Sequence, residues 1–193
     1  YNKMLEAGCI HPREGVLTAP EEPLNGEAGT ARLYRADGGA WRFAPSRGGI
    51  VALECLPDGD VLVMERDYST LTLRWIITLR RLHLPAGTPP ESLLPAEIMA
   101  TLDSDQGLHI DNFEGLAHHH SNRFFMVSDD NDVFVQRTLL VYFELVEPDP
   151  EVKFRGRVYI YEPSAEAILN EVIPRLTELQ ILQAIRESMS SEH

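Results

Sequence analysis

The sequence predicts an all-β protein, built as a partial β-propeller-like array of hairpin blades and followed by a C-terminal α-helical extension. Short apolar runs separated by turn residues dominate residues 1–146, which is typical of strands. Three segments, starting at Leu5, Val51 and Phe113, repeat the order strand, tight turn, apolar strand and acidic residue. Repeats of this kind, with several strands each, favour propeller blades. A plain meander of hairpins is the alternative that the periodicity leaves open.

Each predicted strand is an apolar or alternating run bounded by turn residues. In chain order these runs are residues 5–10, 15–19, 31–35, 41–43, 50–55, 61–64, 113–117, 124–128 and 139–145. Pro57-Asp58-Gly59 forms a turn, because proline presets φ and glycine accepts positive φ. Residues 71–84 alternate as a strand or a bent hairpin, and residues 85–95 form a proline-rich loop. Residues 154–161 are compatible with one further strand.

Residues 147–193 differ in character from the β region, which defines a second predicted domain after the β domain of residues 1–146. An acidic, proline-containing linker is followed by Ser164, a candidate helix N-cap. Pro174 interrupts the helical pattern, so we expect a kink or two short helices. The helix either packs on its own domain or binds a partner. Its apolar stripe consists of Ile168, Leu169, Val172, Ile173, Leu176, Leu179, Leu182 and Ile185.

Length and charge narrow the possible functions. A chain of 193 residues forms one or two domains and can bury a real core. The net charge of -13 argues against a nucleic-acid backbone or an anionic membrane as the main partner. No apolar run is long enough to span a bilayer. The chain starts without Met and without a signal-peptide pattern, so we expect a fragment or a processed product. Cys9 and Cys55 are either buried thiols or a disulfide pair.

Oxygen-bearing side chains gather at one end of a predicted hairpin. Glu114 lies in an apolar strand, where burial of a carboxylate requires a partner. Carboxylate and amide oxygens are the ligands that calcium and magnesium require. The candidate metal ligands are Glu6, Glu21, Asn112, Glu114, Asp129, Asp130 and Asn131.

Glu65, Arg66 and Glu114 are the candidate catalytic residues. Glu65-Arg66-Asp67 is either an internal salt bridge or an acidic rim in which Arg66 holds an anionic substrate group. No Gly-x-Ser-x-Gly elbow, P-loop, Gly-x-Gly-x-x-Gly or HExxH motif is present. Any chemistry therefore falls to carboxylates, a bound cation or Arg66.

Several motifs together resemble one protein family. Residues 112–117, 127–131 and 136–145 resemble the C-terminal portion of the phytase-like, "esterase-like activity of phytase" family, and residues 5–7, 17–21 and 63–68 agree. The resemblance covers residues 2–146. It implies a β-propeller-like fold and an exported, periplasmic or secreted, hydrolase-like protein. Its substrate would be a small-molecule ester or phosphoester, and its cofactor a divalent cation, with calcium expected.

The matched region holds about three blades, too few to close a propeller ring. We therefore expect the family's N-terminal blades to be absent from this chain. An open set of blades leaves strand edges that a protein partner could cover. The alternative function is accordingly a non-catalytic interaction module that docks onto a larger assembly.

Overall fold

The described part of the chain forms three antiparallel sheets of four strands each. The computed structural model describes residues 5–23, 29–45, 47–108, 110–129, 131, 138–145 and 159–161. Of Glu6 and of residues 159–161 it describes the backbone only. Within these described residues, none of the three sheets closes on itself. The all-β prediction is thus confirmed for the described part of the chain.

In every sheet the strands follow one another in chain order. The first sheet contains β1 (Leu5–His11), β2 (Gly15–Pro20), β3 (Ala31–Arg35) and β4 (Ala40–Phe43). The second contains β5 (Gly49–Cys55), β6 (Val61–Ser69), β7 (Arg74–Leu82) and β8 (Ala96–Asp103). The third contains β9 (Phe113–His120), β10 (Arg123–Ser128), β11 (Leu140–Glu144) and β12 (Tyr159–Tyr161). A short 3₁₀ turn, Ser104–Gln106, follows β8.

The second sheet is buried on both faces. Val61 and Val63 pack with Trp41 of the first sheet, whereas Leu62 and Met64 belong to the apolar cluster that includes Phe113 of the third. Because successive strand residues point to opposite faces, a strand covered on both sides is apolar at every position. This explains why residues 61–64 form an unbroken apolar run.

The first strands of the three sheets are neighbours. β5 packs against both β1 and β9. Cys9 of β1 and Cys55 of β5 form a disulfide, with Cα atoms 5.5 Å apart. Of the two alternatives that the sequence left open, the structure shows the disulfide. Closing a loop of this length, with a sequence separation of 46 residues, stabilises the fold by about 4 kcal/mol in the chain-entropy model.

A β-bulge recurs near the start of each of these first strands. Pairing skips Glu6 in β1, Val51 in β5 and Glu114 in β9, so each is the extra residue opposite its partner strand. A bulge bends the strand and redirects a side chain. The three repeats that the sequence suggested therefore share a local backbone irregularity as well as a strand order.

Two differences from the predicted elements concern the second sheet. The sequence did not predict β8 as a strand, and β7 begins only at Arg74, after a tip of residues 70–73.

No helix in the described part of the chain combines the length and apolar character needed to cross a membrane.

The chain divides into two compact units, Tyr1–Ile160 and Tyr161–His193. The predicted linker and helix of residues 147–193 lie outside the described residues, apart from the three residues of β12.

Candidate functional site

Arg66 of β6 is the centre of a polar cluster to which all three sheets contribute. Its Nη2 lies 3.3 Å from Oε1 of Glu21, which follows β2. Its Nη1 lies 2.5 Å from Oε1 of Glu114 in β9, and the same nitrogen donates to Oδ1 of Asn112. Arg66 and Glu21 are largely buried, with side chains 17% and 15% exposed, whereas Glu114 is 42% exposed. The cluster therefore opens to solvent on the Glu114 side.

The bulge in β9 places Glu114 in this cluster. Its neighbour Phe113 is fully buried in the core, and strand alternation alone would turn Glu114 to the opposite face. Because Glu114 is the extra residue of the bulge, its side chain is redirected toward Arg66. Asn112 fixes it there, since its Nδ2 donates to Oε1 of Glu114 at 2.9 Å.

Two glycines allow the backbone to pass directly against this cluster. Gly48 has a φ of +67°, and a Cβ built there would lie 2.1 Å from the carbonyl oxygen of Arg66. A Cβ at Gly49 would lie 2.6 Å from Cγ of Glu21. The amide of Ile50 donates to the carbonyl of Glu21 at 2.9 Å, which ties the same segment to the site. Glycine at these positions is a steric requirement.

Glu65 lies on the other face of β6. It is fully buried, and its Oε1 lies 3.1 Å from Nη1 of Arg80. That nitrogen also donates to the carbonyl of Ala44, next to the first sheet. Glu65 pairs with Arg80, and Arg66 pairs with Glu21 and Glu114. A catalytic role for Glu65 stays a prediction.

The remaining predicted metal ligands lie beside the cluster or outside the described residues. The amide of Asp129 donates to the carbonyl of Asn112 at 2.9 Å, and Oδ1 of Asp129 accepts from the amide of Asn131 at 3.0 Å. The side chain of Glu6 and all of Asp130 fall outside the described part.

The positive charge among the clustered oxygens is the guanidinium of Arg66. Among the described residues, no group of three or more His, Cys, Asp or Glu side chains is arranged to hold a metal ion. The oxygens of Glu21, Asn112 and Glu114 all accept hydrogen bonds from Arg66. These residues do not fit a divalent cation while Arg66 stays between them, so calcium binding stays a prediction.

The arrangement suits acid–base chemistry beside an anion-binding group. Oε1 of Glu114 accepts from both Arg66 and Asn112. Within the described residues no hydrogen bond reaches Oε2, and the Glu114 side chain is 42% exposed. A partly exposed carboxylate can take a proton from water, and a guanidinium can hold a carboxylate or phosphate oxygen.

Sequence reasoning found Glu21, Arg66, Asn112 and Glu114 but missed the glycines and the buried Arg80. The Gly48-Gly49 doublet at the start of β5 signals a close approach of backbones. An arginine within the apolar run of β7 signals a buried carboxylate partner.

In the described part of the chain, the fold and site define a protein of the all-β class with an arginine-centred polar site to which three sheets contribute. A family model described as "Phytase-like: Esterase-like activity of phytase" matches residues 1–132. The chain therefore belongs to this phytase-like family, as its motifs predicted.

Curated relatives match a shorter part of the chain. The ATP synthase gamma chain of Roseiflexus sp. (strain RS-1) is 36% identical over 70 residues, which cover 36% of this chain and 24% of that protein. The ATP synthase gamma chain of Chloroflexus aurantiacus (strain ATCC 29366 / DSM 635 / J-10-fl) is 38% identical over 71 residues, with the same coverage. The chain thus spans about a quarter of the length of these relatives. No solved structure matches it.

Proposed function

We propose that the protein hydrolyses an ester or phosphoester at the Arg66 cluster. Membership of the phytase-like family supports a hydrolase-like function. The observation that carries the proposal is the single guanidinium of Arg66, which three sheets surround with Glu21, Asn112 and Glu114. A site assembled from distant segments around one charged group is preorganised for a polar ligand.

In this mechanism Arg66 binds the oxygen on which negative charge develops, and Glu114 activates water. Oε2 of Glu114 takes one proton as the water oxygen bonds to the acyl carbon or phosphorus. The bond to the alcohol oxygen then breaks, and Glu114 returns the proton to that oxygen. The products are an acid and an alcohol. Asn112 holds the carboxylate in position, and Glu21 holds the guanidinium.

Substitution of the two central residues tests the proposal. Glu114→Gln removes the base and should lower kcat about 100-fold or more for ester or phosphoester hydrolysis. Arg66→Lys keeps the charge but loses the planar fork, so kcat/KM should fall about 10-fold. The assay measures acid or phosphate release from a panel of simple esters and phosphate monoesters.

Glu144→Gln is the matched control, because Glu144 is similarly exposed (45%) and pairs with Arg123 at 3.7 Å in the third sheet. It should leave the rate unchanged. A Glu114→Gln protein that melts like the wild type and hydrolyses as fast would contradict the role of Glu114.

We further propose how the three sheets are arranged and in which compartment the protein lies. The three sheets are taken to be consecutive blades of a propeller, supported by their adjacent first strands and their repeated bulge. The protein is taken to be periplasmic or secreted. The Cys9–Cys55 disulfide supports this, since such bonds persist in oxidising compartments.

We also propose that a divalent cation, calcium by the chemistry of the oxygens, competes with Arg66 for Glu21, Asn112 and Glu114. The guanidinium would have to move aside for the ion to bind. No step of the hydrolysis above passes through this ion.

A second candidate function is a docking module. The match to ATP synthase gamma chains supports it, because these relatives are by name chains of a larger enzyme. In that case the protein would hydrolyse none of the esters in the panel, and the wild-type assay separates the two candidates.

A further inference from the structure

A partly exposed aromatic pair lies on the same hairpin as Arg66. Tyr68 of β6 and Trp75 of β7 are register partners, and their rings stack with centroids 4.1 Å apart. Tyr68 is 39% exposed. A large, partly exposed aromatic surface next to a polar site is unlike the scattered apolar residues of an ordinary surface.

The pair and the guanidinium share one face of the sheet. Side chains alternate along a strand, so Arg66 and Tyr68, two residues apart, point to the same side, with Cα atoms about 7 Å apart. Ile77, opposite Arg66 in β7 and two residues from Trp75, belongs to the buried core on that face. The aromatic surface therefore continues the Arg66 cluster toward the end of the hairpin.

The stem of this hairpin is anchored. The amide of Trp75 donates to Oγ of Ser104 at 3.0 Å, and Nε of Arg74 donates to Oδ1 of Asp103 at 2.8 Å. These contacts hold the backbone at Trp75 in place before any ligand arrives, and the indole itself stacks on Tyr68. A preordered contact surface loses little conformational entropy on binding.

We propose that Tyr68 and Trp75 bind the ring of an aryl ester or aryl phosphoester whose acyl or phosphoryl group is held by Arg66. This inference rests on the proposed function and names its substrate class. Charge and apolar surface lie side by side, which matches a ligand with a polar group attached directly to a flat apolar one. Offset or edge contacts between aromatic rings contribute favourable binding free energy in addition to that of burial.

Binding can be measured without turnover. The chain has two tryptophans, and the other, Trp41, is buried in the core. In a Trp41→Phe protein, Trp75 is the only indole reporter. Phenylphosphonate should change its fluorescence and saturate, whereas methylphosphonate, which lacks the ring, should leave the emission unchanged at the same concentrations. Equal responses to both compounds would overturn the proposal.

Kinetics in the native background provide a second measurement, should Trp41→Phe disturb the core. Tyr68→Ala should raise KM about 10-fold for phenyl acetate or phenyl phosphate, and leave KM for ethyl acetate or methyl phosphate unchanged. Tyr142→Ala is the matched control, because the ring of Tyr142 packs in a tilted arrangement against its register partner Phe125, with centroids 4.7 Å apart, in the third sheet. It should alter neither KM.

The two proposals fail in different ways. If the wild type hydrolyses neither class of ester but Trp75 responds to phenylphosphonate, the hydrolase proposal fails and the aromatic subsite stands. If hydrolysis is normal and Tyr68→Ala changes both KM values equally, the subsite is wrong and the hydrolase proposal stands. A Trp75 response to phosphatidylcholine vesicles and not to phenylphosphonate would assign the pair to a lipid surface and overturn the inference.

Discussion

At the residue scale, the alternation of side chains along β6 decides which charged groups can cooperate. Glu65 and Arg66 are adjacent, so they point to opposite faces: Glu65 pairs with Arg80 of the neighbouring strand β7, whereas Arg66 pairs with Glu114 of the third sheet. The sequence placed Arg66, Asn112, Glu114 and Glu21 among the candidate residues, and the structure brings these four together. The position of Glu65 beside Arg80 depends on the register between β6 and β7, and local sequence does not contain that information.

Asp60 holds a second charged cluster, away from the proposed site. Burial works against its ionised form, but hydrogen bonds from Arg81, His83 and the amide of Leu84 outweigh that effect and keep the pKa of Asp60 below its usual 3.8. The distances from Oδ2 to Nε of Arg81 and from Oδ1 to Nδ1 of His83 are 2.7 and 3.0 Å.

The lowered pKa of Asp60 predicts a stability change in acid. Because the folded state binds its proton less readily than the unfolded state, the contribution of Asp60 is present above pH 3.8 and is lost as the pH falls through the folded pKa. Asp60→Asn should lower the free energy of unfolding at pH 7 by about 1–3 kcal/mol and flatten this acid dependence. Urea unfolding between pH 2 and pH 7 measures both. Asp37→Asn, at an exposed pair with Arg35, should change the pH 7 value far less; equal losses in the two variants would contradict the role of burial.

At the element scale, tertiary pairing overrides local preference in one strand. β8 contains Ala96, Glu97, Met99 and Leu102, all good helix formers, so its sequence does not read as a strand. It forms one because β7 offers it a full antiparallel partner. By contrast, most other strands were predictable, since their apolar runs are bounded by turns and buried as expected.

The close passage of Gly48 against β6 predicts a strong effect of adding a side chain. Gly48→Ala would place a Cβ against backbone atoms of Arg66, and its φ of +67° is also unfavourable for alanine. We expect a loss of about 3 kcal/mol or more in the free energy of unfolding.

Gly87→Ala is the control for that substitution. Gly87 has a similar φ of +77° but no atom within 4 Å of a built Cβ, so only the backbone cost of about 1 kcal/mol applies. Urea unfolding of both variants isolates the contact with Arg66. Similar losses would show that the approach of the two backbones relaxes at no cost.

At the scale of the whole molecule, a bound cation would couple the three sheets. A ligand that binds only the folded state raises its stability by about 2.7 kcal/mol at a hundredfold excess over its dissociation constant. Thermal melts in saturating calcium and in chelator should therefore separate. Glu114→Gln should narrow the gap, and Arg66→Ala should widen it, because it removes the competing guanidinium. Identical melts in the two conditions would remove the cation from the proposal.

The repeats in the sequence predict the order of the three sheets, but they do not predict the disulfide that links the first sheet to the second. Two cysteines without a spacing rule fit several arrangements, and only the packing of β1 against β5 brings Cys9 and Cys55 together.

That link has a practical consequence for anyone who prepares the protein. A sample made in a reducing cytoplasm would carry two thiols where an exported sample carries a crosslink, and the two would differ in how firmly the first sheet is held against the second. Glu21 follows β2 of the first sheet and pairs with Arg66, so it is the site residue whose position depends most on this disulfide. Rates measured on the two kinds of sample should therefore be compared only after the oxidation state of Cys9 and Cys55 has been established.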